Sequence, residues 1–315
     1  MIMAAMTASP AIQGALRLAD WGLIRAQGPD AASFLHSQLT QDINSLREGT
    51  ARLAGWCSPK GRLLASFLVW RADADTLFLA CSADLLAPTL KRLSMFVLRA
   101  KCKLTDASAD IALHGLAGGS AAAWLGDAAA APHWSVQATG GGQLVRLPDV
   151  QGTPRWLLAQ PADAAAPALP ALSPADWAAL EVRSGIVRIT AATVEQFVPQ
   201  MVNLELVGGV NFQKGCYPGQ EIVARSQYRG TLKRRAQVVD SDAPLAAGQE
   251  VFHSADPGQP AGLVALAAPR ADGGSSALVE LKLSALVGGS LHAGAADGAL
   301  LRLGALPYAI PADQG

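Results

Sequence analysis

No C-x-x-C pair occurs in the chain. Its four cysteines, Cys57, Cys81, Cys102 and Cys216, are scattered along 315 residues. That spacing argues against a structural zinc site and a chain-encoded cluster, so no metal ligands are expected. No run of eighteen apolar residues is present, so no membrane partner is expected. The opening Met1-Ile2-Met3-Ala4-Ala5-Met6 lacks the charged start and long apolar core of a signal peptide. Neither G-x-G-x-x-G nor G-x-x-x-x-G-K-[ST] appears, which weighs against dinucleotide and nucleoside-triphosphate binding. Net charge is absent too, with 25 basic and 25 acidic residues, so the whole molecule carries no footprint for nucleic acid. Aromatic residues make up only 5% of a chain that is half hydrophobic, which implies a core of small side chains. A reduced, cytoplasmic protein is the expectation.

What is present reads as α+β. Residues 14–18 and 22–27 have the texture of strands, and residues 30–39 carry an apolar helical stripe of Phe34, Leu35 and Leu39. A hairpin turn is expected at Pro59-Lys60-Gly61-Arg62, then strands at 63–70 and 76–81 and a helix at 85–95. Strands follow at 101–105 and 111–115. Single helices among such strands point to antiparallel sheets rather than a doubly wound fold. Residues 126–133 and 159–172, rich in Ala, Pro and Asp, read as connections. Ser173-Pro174-Ala175-Asp176 is a helix start with a serine cap and proline in the first turn, and Gly185 is its stop. Beyond Lys233, short strands alternate with Gly, Pro and Asp turns, the pattern of a small β-barrel. The expected division is an α+β region of two subdomains over 1–230 and a barrel over 231–315.

Charge is distributed unevenly. Lys91, Arg92, Arg99, Lys101 and Lys103 fall within thirteen residues that hold no acid. Residues 201–240 hold six cations against Glu205, Glu221 and Asp240. Each run is either a solvated face or a binding patch.

Reactive groups are densest in Lys214-Gly215-Cys216-Tyr217-Pro218-Gly219-Gln220-Glu221. An ammonium two residues from a thiol favours the thiolate, the form that attacks or ligates. Cys216 is therefore either a nucleophilic or redox-responsive thiol, or a half-buried cysteine beside a turn. Gln220 and Glu221 could hold a polar ligand, or Glu221 could close on Arg225 one helical turn later. None of the five histidines stands in a recognisable catalytic motif. Trp21 and Trp177 are either core residues or walls for a flat heterocycle.

The octapeptide resembles the K-G-C-Y-x-G-Q-E signature of the YgfZ family, folate-binding proteins related to the glycine-cleavage T protein. Phe197-Val198-Pro199-Gln200-Met201-Val202-Asn203-Leu204 resembles that family's F-x-P-Q-x-x-N-L stretch, and Arg229-Gly230-Thr231-Leu232-Lys233-Arg234 its R-G-x-x-K-R run. Phe34 to Asp42 and Lys60-Gly61-Arg62 match its N-terminal pattern, so the resemblance spans nearly the whole chain. It implies a T-protein-like ring of antiparallel sheets and helices with a C-terminal barrel, around a channel for tetrahydrofolate or a one-carbon derivative. It further implies a role in iron–sulfur cluster assembly or repair and in tRNA modification. The implied partners are folate, iron–sulfur client or assembly proteins, and tRNA. By resemblance Cys216 is the functional thiol with Lys214 beside it, Trp21 and Trp177 contact folate, and Gly215, Tyr217, Gly219, Gln220, Glu221 and Arg225 shape the motif. The aminomethyltransferases carry an Asp-Asp pair where this chain has Ala65 and Ser66. Neither replacement is a general acid or base near neutral pH, which argues against aminomethyl transfer and leaves enzyme status open.

Overall fold

The computed structural model describes residues 11–228 and 232–311. The expected boundary at residue 230, and Arg229, Gly230 and Thr231 of the R-G-x-x-K-R run, lie outside the described residues.

Two five-stranded antiparallel sheets and a closed barrel make up the chain. The elements up to the second sheet's edge are β1 (Gly14–Arg17), β2 (Trp21–Gln27), α1 (Ala31–Gln38), β3 (Ala51–Cys57), β4 (Leu63–Arg71), β5 (Thr76–Ser82), α2 (Ala83–Ser94) and β6 (Lys103–Asp106). Next come β7 (Ile111–Ala117), α3 (Gly118–Leu125), β8 (Val136–Thr139), β9 (Gly142–Val150), β10 (Thr153–Pro161), α4 (Pro174–Arg183) and α5 (Gln220–Tyr228). The barrel strands are β11 (Arg234–Ser241), β12 (Glu250–His253), β13 (Asp256–Pro269), β14 (Ser275–Lys282), β15 (Leu291–Ala293) and β16 (Ala299–Leu303). One sheet runs β1-β7-β10-β9-β8, the other β3-β4-β5-β2-β6, and the barrel closes in the order β11-β14-β13-β12-β15-β16. This is α+β with a C-terminal barrel, as the strand and turn texture predicts. No helix among the described residues is long and apolar enough to cross a membrane.

The two sheets share a core. Leu23, Leu68, Trp70 and Phe78 of the β3–β6 sheet pack with Leu113, Val145 and Leu157 of the other, and Trp177 and Leu180 of α4 close one end. Two apolar faces brought together in this way remove both from water. Helix α4 starts as its sequence dictates. The Ser173 hydroxyl accepts from the Asp176 amide at 3.0 Å, and Pro174 occupies a position with no N–H to lose. Its far end is fixed from the C-terminal segment, where the Tyr308 hydroxyl donates to the Gly185 carbonyl at 2.7 Å. Asn203 Nδ2 in turn donates to that hydroxyl at 3.3 Å.

Strands β8, β9 and β10 occupy 136–161, a stretch without a clear strand signature. Pro148 and Pro154 break its alternation, and the buried Arg155 stands in the middle of what is in fact a central strand. Strand β10 is covered on both faces and enters the expected connection as far as Pro161.

Candidate functional site

A cleft of about 500 Å³, counting its open mouth, lies where the shared core meets α4. Its walls include Trp21 from the start of β2, Trp177 and Glu181 from α4, Arg155 from β10, Arg188, Trp134 and Pro148. The two tryptophans singled out from sequence thus line one cleft. Trp177 reaches its place because β7 has no side chain at Gly115. A Cβ there would stand 2.6 Å from the indole ring. The indole N–H groups of both Trp21 and Trp177 are buried with no acceptor in the protein.

Charge in this cleft is buried, and Arg188 is paired. Arg188 lies 4.9 Å from the Trp21 ring centroid and spends its donors on four acceptor groups. Its Nε meets Glu181 Oε1 at 3.2 Å, one terminal nitrogen meets Ser82 Oγ at 3.0 Å, and the other meets Asp20 Oδ2 at 2.6 Å. The Asp20 carbonyl accepts as well, at 3.1 Å. Burial pushes the Glu181 carboxyl above the ordinary carboxylate range, against the pull of Arg188. Arg155 sits 5.9 Å from the Trp177 centroid and donates to the Pro148 carbonyl at 3.1 Å. Burial brings its pKa down to about 10, which leaves it charged. Glu181, Arg155 and Arg188 were not singled out as site residues from the sequence. Glu181 was findable: it stands one helical turn after Trp177, on the same face. Arg155 and Arg188 carry no such signal, because their burial depends on strands and turns distant in sequence.

The Cys216 loop is a separate place. No residue of 214–221 lines the tryptophan cleft. Lys214 is buried, and its ammonium donates to the carbonyls of His36 and Leu39, the latter at 2.9 Å. Those carbonyls end α1 and have no partner within the helix. The ammonium also lies 4.7 Å from the Tyr217 ring centroid. Burial pulls the Lys214 pKa down to about 8, opposed by the charges of Asp42 and Cys216. Tyr217 is buried, and its hydroxyl is pushed above its ordinary range. Gly219 holds φ +80°, and a Cβ there would stand 2.8 Å from the Gly61 Cα. The loop therefore docks backbone to backbone on the Lys60-Gly61-Arg62 hairpin, which only glycine permits.

Cys216 itself is exposed, in contrast to Cys57 and Cys81, which are buried, and the half-buried Cys102. Burial pushes the thiols of Cys57 and Cys81 up to about 12 and that of Cys102 to about 11. Those three stay protonated at neutral pH and are inert. Gln220 opens α5, and Glu221 and Arg225 are both exposed on that helix without an ion pair between them among the described residues. At the positions of the Asp-Asp pair, Ala65 is buried in the core, and the Ser66 hydroxyl accepts from the Ile189 amide at 2.9 Å. Ser66 thus ties β4 to the segment that carries Arg188. No group of three or more metal-ligating side chains occurs among the described residues.

Comparison with known proteins gives the family and the fold. Residues 14–159 match the GCVT N-terminal domain family. The tRNA-modifying protein YgfZ of Edwardsiella ictaluri is 36% identical over 273 residues, covering 82% of this chain and 81% of the relative. That of Klebsiella pneumoniae is 30% identical over 309 residues, covering 94% and 93%. Among solved structures, the glycine cleavage system aminomethyltransferase T from Bartonella henselae superposes with a TM-score of 0.71 over 94% of this chain and 86% of its own. At 17% identity that likeness is one of fold.

Proposed function

The chain belongs to the YgfZ family, and from that premise we propose that it is a tetrahydrofolate-binding accessory protein acting in tRNA modification through iron–sulfur cluster assembly or repair. Cys216 is its functional thiol and the cytoplasm its setting. The observation that carries the folate assignment is the convergence of Trp21, Trp177 and Glu181 on one cleft. The residues fit the ligand chemically. Two indoles offer flat walls and two unpaired N–H donors, and Glu181 offers a carboxylate to the N–H groups along a pterin edge. Arg188 holds that carboxylate in place, and Arg155 adds a second buried cation beside Trp177. Tetrahydrofolate, when bound, supplies a carrier for one-carbon units.

Carboxylate-driven aminomethyl transfer finds no support here. Ala65 and Ser66 carry no acid, and Glu181 is engaged by Arg188. Exposure of Cys216 suits attack on, or ligation to, a group presented by another macromolecule. One cysteine supplies one of the four thiolates a cluster needs, so a partner protein, external thiols or a second chain would supply the others.

Anaerobic calorimetric titration with tetrahydrofolate tests this function. Wild type is expected to bind, Trp21→Phe to lose at least fivefold in affinity with the indole N–H, and Cys216→Ser to bind as wild type does. A wild-type protein that gives no heat and no competition with folate analogues would sink the proposal.

A further inference from the structure

We propose that the tip after α2, residues 95–98, is a docking knob for an acidic protein that offers an apolar pocket. Met95 is 68% exposed and Leu98 87%, with Phe96 at 44% beside them. Leu98 also holds a left-handed backbone, φ +43°, in a turn closed by the Ala100 amide on the Val97 carbonyl at 2.8 Å. Such a position asks for glycine or asparagine, because a Cβ crowds the following carbonyl oxygen there. The fold gains no burial from this side chain and bears its strain. The exposed leucine is thus free to contact something outside the chain.

The surroundings fix the partner's chemistry. Lys91, Arg92, Arg99, Lys101 and Lys103 are all exposed, and none forms an ion pair among the described residues. Lys103 has a local use, since β6 is the edge of its sheet and lysine discourages pairing there. Lys91 and Arg92 sit in the last turn of α2, where cations offset the helix carbonyls, and Arg92 also lies 5.6 Å from the Trp56 ring centroid; neither use extends to Arg99, Lys101 or the apolar tip. Charge complementarity calls for carboxylates around the groove that receives Leu98. Nucleic acid meets the charge, but its bases reward stacking rings rather than the aliphatic side chains that protrude most here.

Position ties the knob to the thiol. The Asp30 carboxylate at the start of α1 accepts from the Lys101 amide at 2.7 Å, and Lys214 grips the other end of that helix. Helix α1 has eight residues, about 12 Å of rise. Helix α1 thus links the segment that follows the tip to the Cys216 loop. That the partner carries an iron–sulfur cluster rests on the proposed function; that it is an acidic protein does not.

The test places a photo-crosslinking residue at Met95 of the full chain in living cells, identifies the adduct, and measures the purified partner against variants. The expected adduct is an acidic iron–sulfur protein. Leu98→Gly is expected to bind it at least tenfold more weakly while melting at the same or a higher temperature, since glycine relieves the turn. Lys91→Glu with Arg99→Glu should weaken it similarly. Adducts with RNA or lipid alone, or Leu98→Gly binding within twofold of wild type, overturn the docking site. An acidic partner without a cluster keeps the docking site and removes the iron–sulfur part of the proposed function.

Discussion

Arg188 and Lys214 are both buried cations, yet the chain spends them on different things. Arg188 is balanced by Glu181 and Asp20, and its guanidinium lies against an indole inside the cleft. Charge there is neutralised by charge, and the geometry is set before a ligand arrives. Lys214 is spent on helix carbonyls, so it holds backbone and leaves the neighbouring thiol in solvent. The first arrangement suits a small molecule that enters a ready pocket; the second suits an atom that must meet another protein. Preorganisation and accessibility are thus divided between two parts of one molecule.

Removing each cation sharpens that contrast. Arg188→Met has the largest expected effect, a loss of about 3–5 kcal/mol in urea unfolding, because Glu181 is left buried and uncompensated. Adding Glu181→Leu should recover most of that loss; if the single variant costs under about 1 kcal/mol, the cleft is not built on charge pairing. Lys214→Met should cost less, about 1–3 kcal/mol, by orphaning two carbonyls. The Lys214 pKa is depressed, so its contribution to stability is complete above 10.5 and falls away as pH drops through about 8. The gap between wild type and Lys214→Met should accordingly widen from pH 8 to 10.5, and a constant gap would contradict the depressed value. The smallest effect on stability belongs to Cys216→Ser, within about 0.5 kcal/mol as for other exposed positions. That variant should nevertheless fail to restore iron–sulfur enzyme activity in a strain lacking the gene. Full restoration would make the thiol dispensable.

The sequence revealed the parts governed by local rules. Ser173, Pro174 and Gly185 bound α4 as capping and turn chemistry require, and the β-barrel follows from its alternation and turns. Asp30 departs from its local role: no capping bond forms at α1, and its carboxylate goes to Lys101 instead. What stayed hidden depends on long-range burial. Arg155 on β10 looks like any solvated cation until β7 and β9 flank its strand. Arg188 is a pocket residue only because Ser66, far away on β4, holds the segment beside it. The signature cysteine could be read from its neighbours, but the actual work of Lys214 could not, since its acceptors lie 175 and 178 residues earlier.

The Tyr308 hydroxyl that fixes the end of α4 belongs to a residue made 123 positions after the glycine it binds. At ordinary rates of synthesis that interval is roughly 6–25 s. During it α4, with Trp177 and Glu181, exists without its final anchor. The tryptophan cleft thus gains its last tether late in translation, once the chain extends through Tyr308.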